Sequence, residues 1–174
     1  MKAVYLILIL SLALLLPLAP VPDFWITLTC YVGLGAIVAL GLVLLTGKAG
    51  MTSFGQAAFV GLGAYATAYL TVSWGMSAWV GLAGGLLLTV ITSCALGAIS
   101  TKLSGHFLPL GTIAWGLSLY FLFGNLDVLG RYDGISGIPP IRIGGFAFSS
   151  QRSMSSLIWL FVALCMVLTA NLLA

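Results

Sequence analysis

The chain alternates between long uncharged apolar runs and single charged residues. The uncharged runs extend over 3–22, 24–47, 49–101, 103–126 and 153–174. Because a bilayer core of about 30 Å requires about 20 apolar helical residues, the 49–101 run is long enough for two spans and the others for one each. The pattern predicts an all-α, polytopic transmembrane helix bundle with about six spans, at 4–19, 25–45, 54–72, 78–100, 108–124 and 157–173.

Composition and charge support this membrane class. Hydrophobic residues make up 61% of the chain, charged residues only 5%, and the mean hydropathy is +1.22, whereas soluble domains carry about 25% charged residues. The net charge of +3 arises from six cations and three Asp, which are too scattered to form a nucleic-acid-binding face. The lipid bilayer is therefore the expected partner, and the cations are interpreted as topology markers.

The first span has a second interpretation. Lys2, an apolar stretch and the prolines that follow it also fit a cleaved signal peptide. The retained helix is preferred because no clear A-x-A cleavage site follows and because the prolines fit a helix that ends at the membrane surface.

The stretch GKAGMTSFGQAAFVGLGAY, residues 47–65, has the composition of a turn followed by a tightly packed helix. Gly47 and Gly50 bracket Lys48 and permit a sharp turn where the chain meets water. Small side chains then dominate the helix surface, and small residues let membrane helices approach closely. The remaining positions assigned to this packing surface are Gly55, Gly61, Gly63 and Tyr65.

Three long stretches of the sequence together carry a family signature. They are TGKAGMTSFGQAAFVGLGAYATAYL (46–70), LSGHFLPLGTIAWGLSLYFLFGNL (103–126) and GRYDGISGIPPIRIGGFAF (130–148). In this order they resemble the membrane permease subunits of branched-chain amino-acid ABC importers. Related permeases for urea or short amides carry similar signatures, so these substrates remain the alternative.

The resemblance implies the partners and the cofactors. A permease of this kind assembles with a second permease subunit, two ATPase subunits and a periplasmic solute-binding protein. ATP and Mg²⁺ are bound by the ATPase subunits, and this chain holds no cofactor of its own. The resemblance also implies the bacterial inner membrane as the location, with a cytoplasmic N-terminus.

The loop predicted at 127–152 is the one sizeable aqueous segment. The cation count does not orient the chain, because Lys2, Lys48 and Lys102 would lie on one side and three arginines on the other. The resemblance places this loop outside the cell. The loop is interpreted as a compact cover of the bundle or as a docking surface for the binding protein, with contacts from Asp127, Arg131, Asp133 and Arg142.

Neutral polar residues are the candidates for a substrate path. No Asp, Glu, Lys or Arg lies at the centre of a predicted span, which counts against a proton-coupled carrier. A zwitterion can be conducted by hydroxyls, amides and exposed backbone. The alternative is that these residues form hydrogen bonds between helices. The candidates are Thr52, Ser53, Gln56, Thr67, Thr112, Ser118 and Asn125.

No catalytic residue and no metal site is predicted. The segment 41–48 departs from a phosphate-binding loop in its glycine spacing, and Ala49 stands where Ser or Thr would reach Mg²⁺. Ser104 and His106 lack the geometry of a nucleophile and its base. The three cysteines lack metal-ligand spacing. We therefore expect a transporter subunit that is not an enzyme.

Two further patterns concern packing. Gly81 with Gly85, and Ser93 with Gly97, have the spacing of close helix contacts, either within the chain or with a partner. Four tryptophans fall near predicted span ends, as an aromatic belt would place them. They are Trp25, Trp74, Trp79 and Trp159.

The end of the chain bears on completeness. Permeases of the family that it resembles continue with a cytoplasmic segment that docks the ATPase, and this sequence stops at Ala174, about where that segment would begin. We therefore expect residues 1–174 to form a single, incomplete permease domain. A non-transporting membrane fragment and a self-standing channel are the alternative functions.

Overall fold

The computed structural model describes residue 17, residues 19–100 and residues 107–173. Its five α-helices are α1 (Asp23–Gly47), α2 (Gln56–Val72), α3 (Ala78–Ser100), α4 (Phe107–Asn125) and α5 (Gln151–Leu173). Between α4 and α5 lie two 3-10 helices (Asp127–Leu129 and Arg131–Asp133) and two strands, β1 (Arg142–Ile143) and β2 (Phe146–Ala147). The predicted all-α membrane fold is confirmed.

Four of the described helices are long and apolar enough to cross a membrane, namely α1, α3, α4 and α5. Helix α2 has 17 residues, which corresponds to about 26 Å at 1.5 Å per residue. The predicted first span, 4–19, lies outside the described residues except for Pro17 and Ala19.

The starts of α5 and α2 differ from the starts of the spans that the sequence predicts there. Helix α5 begins at Gln151 and not at Leu157, because the hydroxyl of Ser150 accepts a hydrogen bond from the backbone N–H of Ser153 at 3.2 Å and caps the helix. The connecting loop therefore covers residues 126–150. Helix α2 begins at Gln56, so the residues just before it do not lie on a helix surface.

The described chain groups into two compact units, one formed by residues up to 50 together with those from 146, and the other by residues 51–145. In the first unit, α1 and α5 pack side by side and in parallel. Gln151 donates a hydrogen bond to the Thr27 hydroxyl at 3.0 Å, and further along both helices Gly33 faces Ile158 and Trp159. Both helices therefore begin at the same end of this unit.

A glycine sets the spacing of α1 and α5. A Cβ atom placed on Gly33 would lie 2.7 Å from Cγ2 of Ile158, so any side chain at position 33 would force the Ile158 side chain to shift, and the glycine favours close helix packing here. Ile26 of α1 and Val162 of α5 are almost completely buried. The pair is held together by apolar packing around this close approach.

The position of Trp159 corrects the aromatic-belt prediction. Because α5 begins at Gln151, Trp159 lies two turns inside the helix and is 6% exposed. Its ring packs in a cluster with Val162, and with Ala36 and Ile37 of α1. It therefore belongs to the core of the first unit and not to a membrane-surface belt.

In the second unit, α2 and α3 form an antiparallel hairpin. The Thr67 hydroxyl lies 2.8 Å from the carbonyl oxygen of Gly63 and 3.2 Å from that of Gly81, and it donates to these acceptors. A Cβ on Gly85 would lie 2.5 Å from the Thr67 hydroxyl and 2.7 Å from the Gly63 carbonyl oxygen. The predicted Gly81 and Gly85 contact is thus made within the chain.

Helix α4 lies along α2 in the same direction. Near its start Thr112 contacts Gly55, and near its end Phe123 contacts Gly61. The rings of Tyr65 and Phe123 have centroids 4.7 Å apart. The three helices of this unit therefore alternate in direction along the chain.

Substitution of Gly85 by alanine is expected to destabilise the hairpin, because the added methyl group would meet a backbone carbonyl that cannot rotate away. Overpacking of this kind costs about 1–3 kcal/mol. Gly97→Ala is the matched control, since no described atom lies within 4 Å of a Cβ at that position. Thermal unfolding in detergent should show a lower midpoint for Gly85→Ala alone, and equal midpoints for the two variants would contradict this packing.

Candidate substrate path and connecting loop

A short non-helical stretch leads into α2, and we call residues 52–55 the entry segment. It follows Gly50, which has a φ of +63°, a conformation that favours glycine. The backbone N–H of Phe54 donates to the Thr112 hydroxyl of α4 at 3.0 Å. Gly55 is buried against the same threonine, with a Cβ position 3.5 Å from its side chain.

The depth of this contact follows from the helix geometry. Thr112 is five residues into α4, about 8 Å along the helix axis. The entry segment therefore lies inside the length of α4 and not beyond its end. Within the entry segment, the backbone N–H of Gly55 donates to the Ser53 hydroxyl at 3.3 Å.

The predicted path residues separate into two groups. Thr112 bonds to the entry segment, which contains Thr52 and Ser53 and leads into Gln56, the first residue of α2. Ser118 lies about 9 Å further along α4, and its hydroxyl donates to the carbonyl of Ala114 in its own helix at 2.8 Å.

Two other polar candidates use their hydrogen bonds within the protein. Asn125 donates to the carbonyl of Phe121 at 2.7 Å. Thr67 joins α2 to α3, as the alternative interpretation proposed for it.

The signature glycines have different surroundings. A Cβ on Gly61 would lie 3.0 Å from the Phe123 ring, and one on Gly63 would lie 3.3 Å from the Thr89 hydroxyl. A Cβ on Gly47 would meet nothing within 4 Å in the described chain, and this residue closes α1 instead of standing in the turn. Among these glycines, those in α2, Gly61 and Gly63, pack closely against other residues, and Gly47 does not.

The connecting loop begins as a tight structure. Asp127 and Arg131 form an ion pair with both side chains more than half exposed. Gly130 and Gly134 have φ values of +77° and +73°, and a side chain on Gly130 would overlap the carbonyl of Gly134. Arg131 itself has a positive φ of 54°.

Two aromatic contacts fix this loop to the helices of the second unit. The Tyr132 ring covers Gly124 of α4, where a Cβ would lie 2.5 Å from the ring. The indole N–H of Trp79 in α3 donates to the carbonyl of Arg142 at 2.8 Å. In the described chain, the side chains of Asp133 and Arg142 form no ion pair.

Arg152 is a structural residue that the sequence interpretation missed. The sequence assigns Arg152 to the connecting loop, whereas it lies in the first turn of α5. Its guanidinium donates to three backbone carbonyls at 2.8–3.0 Å. Those carbonyls belong to Pro17, Ala19 and Val21. Asp23 adds a carboxylate oxygen at 3.5 Å. This arginine joins the residues that precede α1 to the start of α5.

The described residues contain no group of three or more His, Cys, Asp or Glu that could hold a metal ion. Cys30 is buried, Cys94 is exposed and Cys165 is half-buried, and all three are free thiols. Ser104 and His106 lie outside the described residues.

A match to a known protein family includes all three signature stretches. A family model described as branched-chain amino acid transport system / permease component matches residues 24–174. The chain belongs to this permease family. The resemblance of the three stretches is thereby confirmed, and the family is one of multi-pass membrane transporter subunits.

Individual relatives of this permease agree with the family match. The high-affinity branched-chain amino acid transport system permease protein LivM of Escherichia coli (strain K12) is 31% identical over 114 residues. LivM of Salmonella typhimurium (strain LT2) gives the same identity and coverage. The alignment covers 65% of the chain and 27% of each relative, so the permease chain spans about a quarter of the length of the curated relatives it matches. No solved structure matches the chain.

Proposed function

We propose that the chain forms part of the translocation path of an ABC importer for branched-chain amino acids. The observation that carries the proposal is the family match over residues 24–174. The names of the two LivM relatives support the substrate class. In this proposal the partners are a second permease subunit, two ATPase subunits that bind ATP and Mg²⁺, and a periplasmic binding protein.

The mechanism that fits these partners is alternating access. ATP binding and hydrolysis in the ATPase subunits shift the helix bundle between outward-open and inward-open states, which differ in their affinity for the amino acid. The permease itself supplies the path and its two conformations. We place it in the bacterial inner membrane with a cytoplasmic N-terminus.

The parallel packing of α1 and α5 supports the number of crossings in this proposal. If both helices cross the membrane in the same direction, the chain must cross an odd number of times between them. Helices α2, α3 and α4 provide three crossings, and their alternating directions agree with this count. We therefore include α2 among the membrane-spanning helices.

The entry segment accounts for the short length of α2. Helix α2 measures about 26 Å, and four extended residues add up to about 13 Å, so together they are long enough to cross a bilayer core of about 30 Å. Non-helical backbone at membrane depth is tolerated where it is buried in protein or lines a cavity. The bond between the Phe54 N–H and the Thr112 hydroxyl pairs one backbone group of the segment within the protein, and the adjacent Gly55 is buried.

The same segment is our proposed part of the substrate path. Thr52, Ser53 and Gln56 supply neutral hydroxyl and amide groups beside exposed backbone, which are the groups that a zwitterion can use without a charged residue. Thr112 positions this segment through the Phe54 N–H.

Thr112→Val in the permease, assembled with the ATPase and second permease subunits encoded nearest to it, is expected to lower leucine uptake about tenfold. The substitution leaves the Phe54 N–H without its acceptor, and such a loss costs about 1–3 kcal/mol. Ser118→Ala is the matched control on the same helix, because its hydroxyl serves only its own helix. Uptake of labelled leucine is measured in a strain that lacks the native permease.

Three results would contradict parts of the proposal. Equal uptake by the two variants would exclude the positioning role of Thr112. Urea uptake without leucine uptake would favour the amide alternative. Failure of the wild-type permease to assemble with the ATPase would favour the membrane-fragment alternative.

We further propose that Asp133 and Arg142 contact the external binding protein. Asp127 and Arg131 neutralise each other within the loop, whereas Asp133 and Arg142 have no charged partner in the described chain. The anchoring of the loop through Tyr132 and Trp79 gives these charges a fixed position. A preformed surface of this kind loses little conformational entropy on binding.

Charge reversal distinguishes the ion pair of Asp127 and Arg131 from the two charges proposed to contact the binding protein, Asp133 and Arg142. Asp133→Lys and Arg142→Asp are expected to lower binding-protein-dependent uptake several-fold, because like charges across an interface disfavour association. The double variant Asp127→Arg with Arg131→Asp keeps the ion pair and serves as the control. Unchanged uptake in both single variants, with normal membrane levels, would remove this proposal.

A further inference from the structure

Two buried polar side chains between α1 and α5 have no hydrogen-bond partner. In the part of the chain that the structure describes, the Ser155 hydroxyl and the Trp159 indole N–H are both buried and unpaired. Ser155 is 0% exposed and Trp159 is 6% exposed. Buried polar groups in folded proteins are almost always paired, with ordered water as the usual partner when no protein group is available.

The two groups lie about one helical turn apart on α5. They are four residues apart on α5, which puts them on one face of the helix with a rise of about 6 Å between them. Side chains in a helix lean toward its N-terminus, so the Trp159 indole leans toward the turn that carries Ser155.

Gly33 of the facing helix lies beside the indole. Gly33 of α1 has no side chain, and a Cβ there would lie 3.7 Å from the indole nitrogen of Trp159. The space next to the N–H is therefore bordered by backbone. The register of the pair also brings Cys30, whose buried thiol is a weak donor and acceptor, level with Ser155.

The surroundings determine the chemical class of the ligand. The residues packed against Trp159 and Val162 are all apolar, namely Ala36, Ile37, Ile158 and Met166, and the guanidinium of Arg152, one turn before Ser155, is engaged with backbone carbonyls. An ion would therefore have no opposite charge to pair with. A neutral ligand of minimal size that both accepts and donates hydrogen bonds is required.

We propose that one water molecule is bound between α1 and α5, where it accepts a hydrogen bond from the Trp159 indole N–H and shares a second with the Ser155 hydroxyl. The water satisfies both buried groups in a segment that the bilayer separates from bulk solvent. It is a polar link inside an otherwise apolar helix pair, and it does not depend on the proposed transport function.

Nuclear magnetic resonance of the detergent-solubilised full chain with ¹⁵N-labelled indoles tests the proposal. The Trp159 indole resonance is assigned by its loss in Trp159→Phe. A long-lived water should give a cross-peak between the water signal and the Trp159 indole proton, with the sign of slow tumbling. A wild-type spectrum without this cross-peak, in which the exposed Trp74 indole does show exchange with solvent, would overturn the proposal.

Two variants identify the second partner of the water. Ser155→Ala is expected to weaken the cross-peak at least threefold and to shift the Trp159 indole resonance. Ser156→Ala, which alters a hydroxyl that binds its own helix carbonyl at Arg152, should leave both unchanged. An unchanged cross-peak in Ser155→Ala would show that the water is not shared with Ser155 and would contradict the bridge.

Discussion

Where Gly33 meets Ile158 and where Gly85 meets Thr67 and the Gly63 carbonyl, the helices pack so closely that a side chain on the glycine would force its neighbour to shift. In a bilayer the lipid tails are as apolar as the side chains, so helix association depends on close packing and on hydrogen bonds between helices. Each compact unit contains at least one such contact. The hydrogen bonds of Thr67 and the burial of Val162 follow from this approach.

Polar contacts at one end of each unit complete the arrangement. Arg152 collects the carbonyls that precede α1, and Thr112 accepts the N–H that precedes α2. In both cases a side chain on a helix satisfies backbone that is not helical, and unpaired backbone groups at membrane depth cost several kcal/mol. These two residues therefore pair backbone groups at the points where the chain leaves helical geometry.

Much of the fold could be predicted from apolar run lengths. Helix α3 has the predicted bounds, and α4 differs by one residue at each end, because glycines, charges and apolar periodicity all change at those points. The start of α5 could not be predicted in this way. Its first turn is polar, and the capping by Ser150 is a local contact that run lengths do not reveal.

The contacts around the candidate site could likewise be predicted only in part. The spacing of Gly81 and Gly85 predicted a close contact, and the structure supplies the partner, α2, that the spacing alone could not identify. The residues around Arg152 in the sequence do not predict its role, because its hydrogen-bond partners stand more than 125 residues earlier in the chain. Trp159 is predicted to lie near a span end because the sequence places the start of that span at residue 157, whereas α5 begins at Gln151.

The parallel pairing of α1 and α5 is the central claim, because the number of crossings rests on it. It is tested most directly by oxidative cross-linking of Cys30 to a cysteine introduced by Ser155→Cys, in a Cys94→Ser and Cys165→Ser background. The parallel register predicts a disulfide that protects both thiols from a maleimide tag until reduction, and Ser156→Cys should remain reactive. Full labelling of the Ser155→Cys protein after oxidation, or equal cross-linking at 155 and 156, would contradict the pairing.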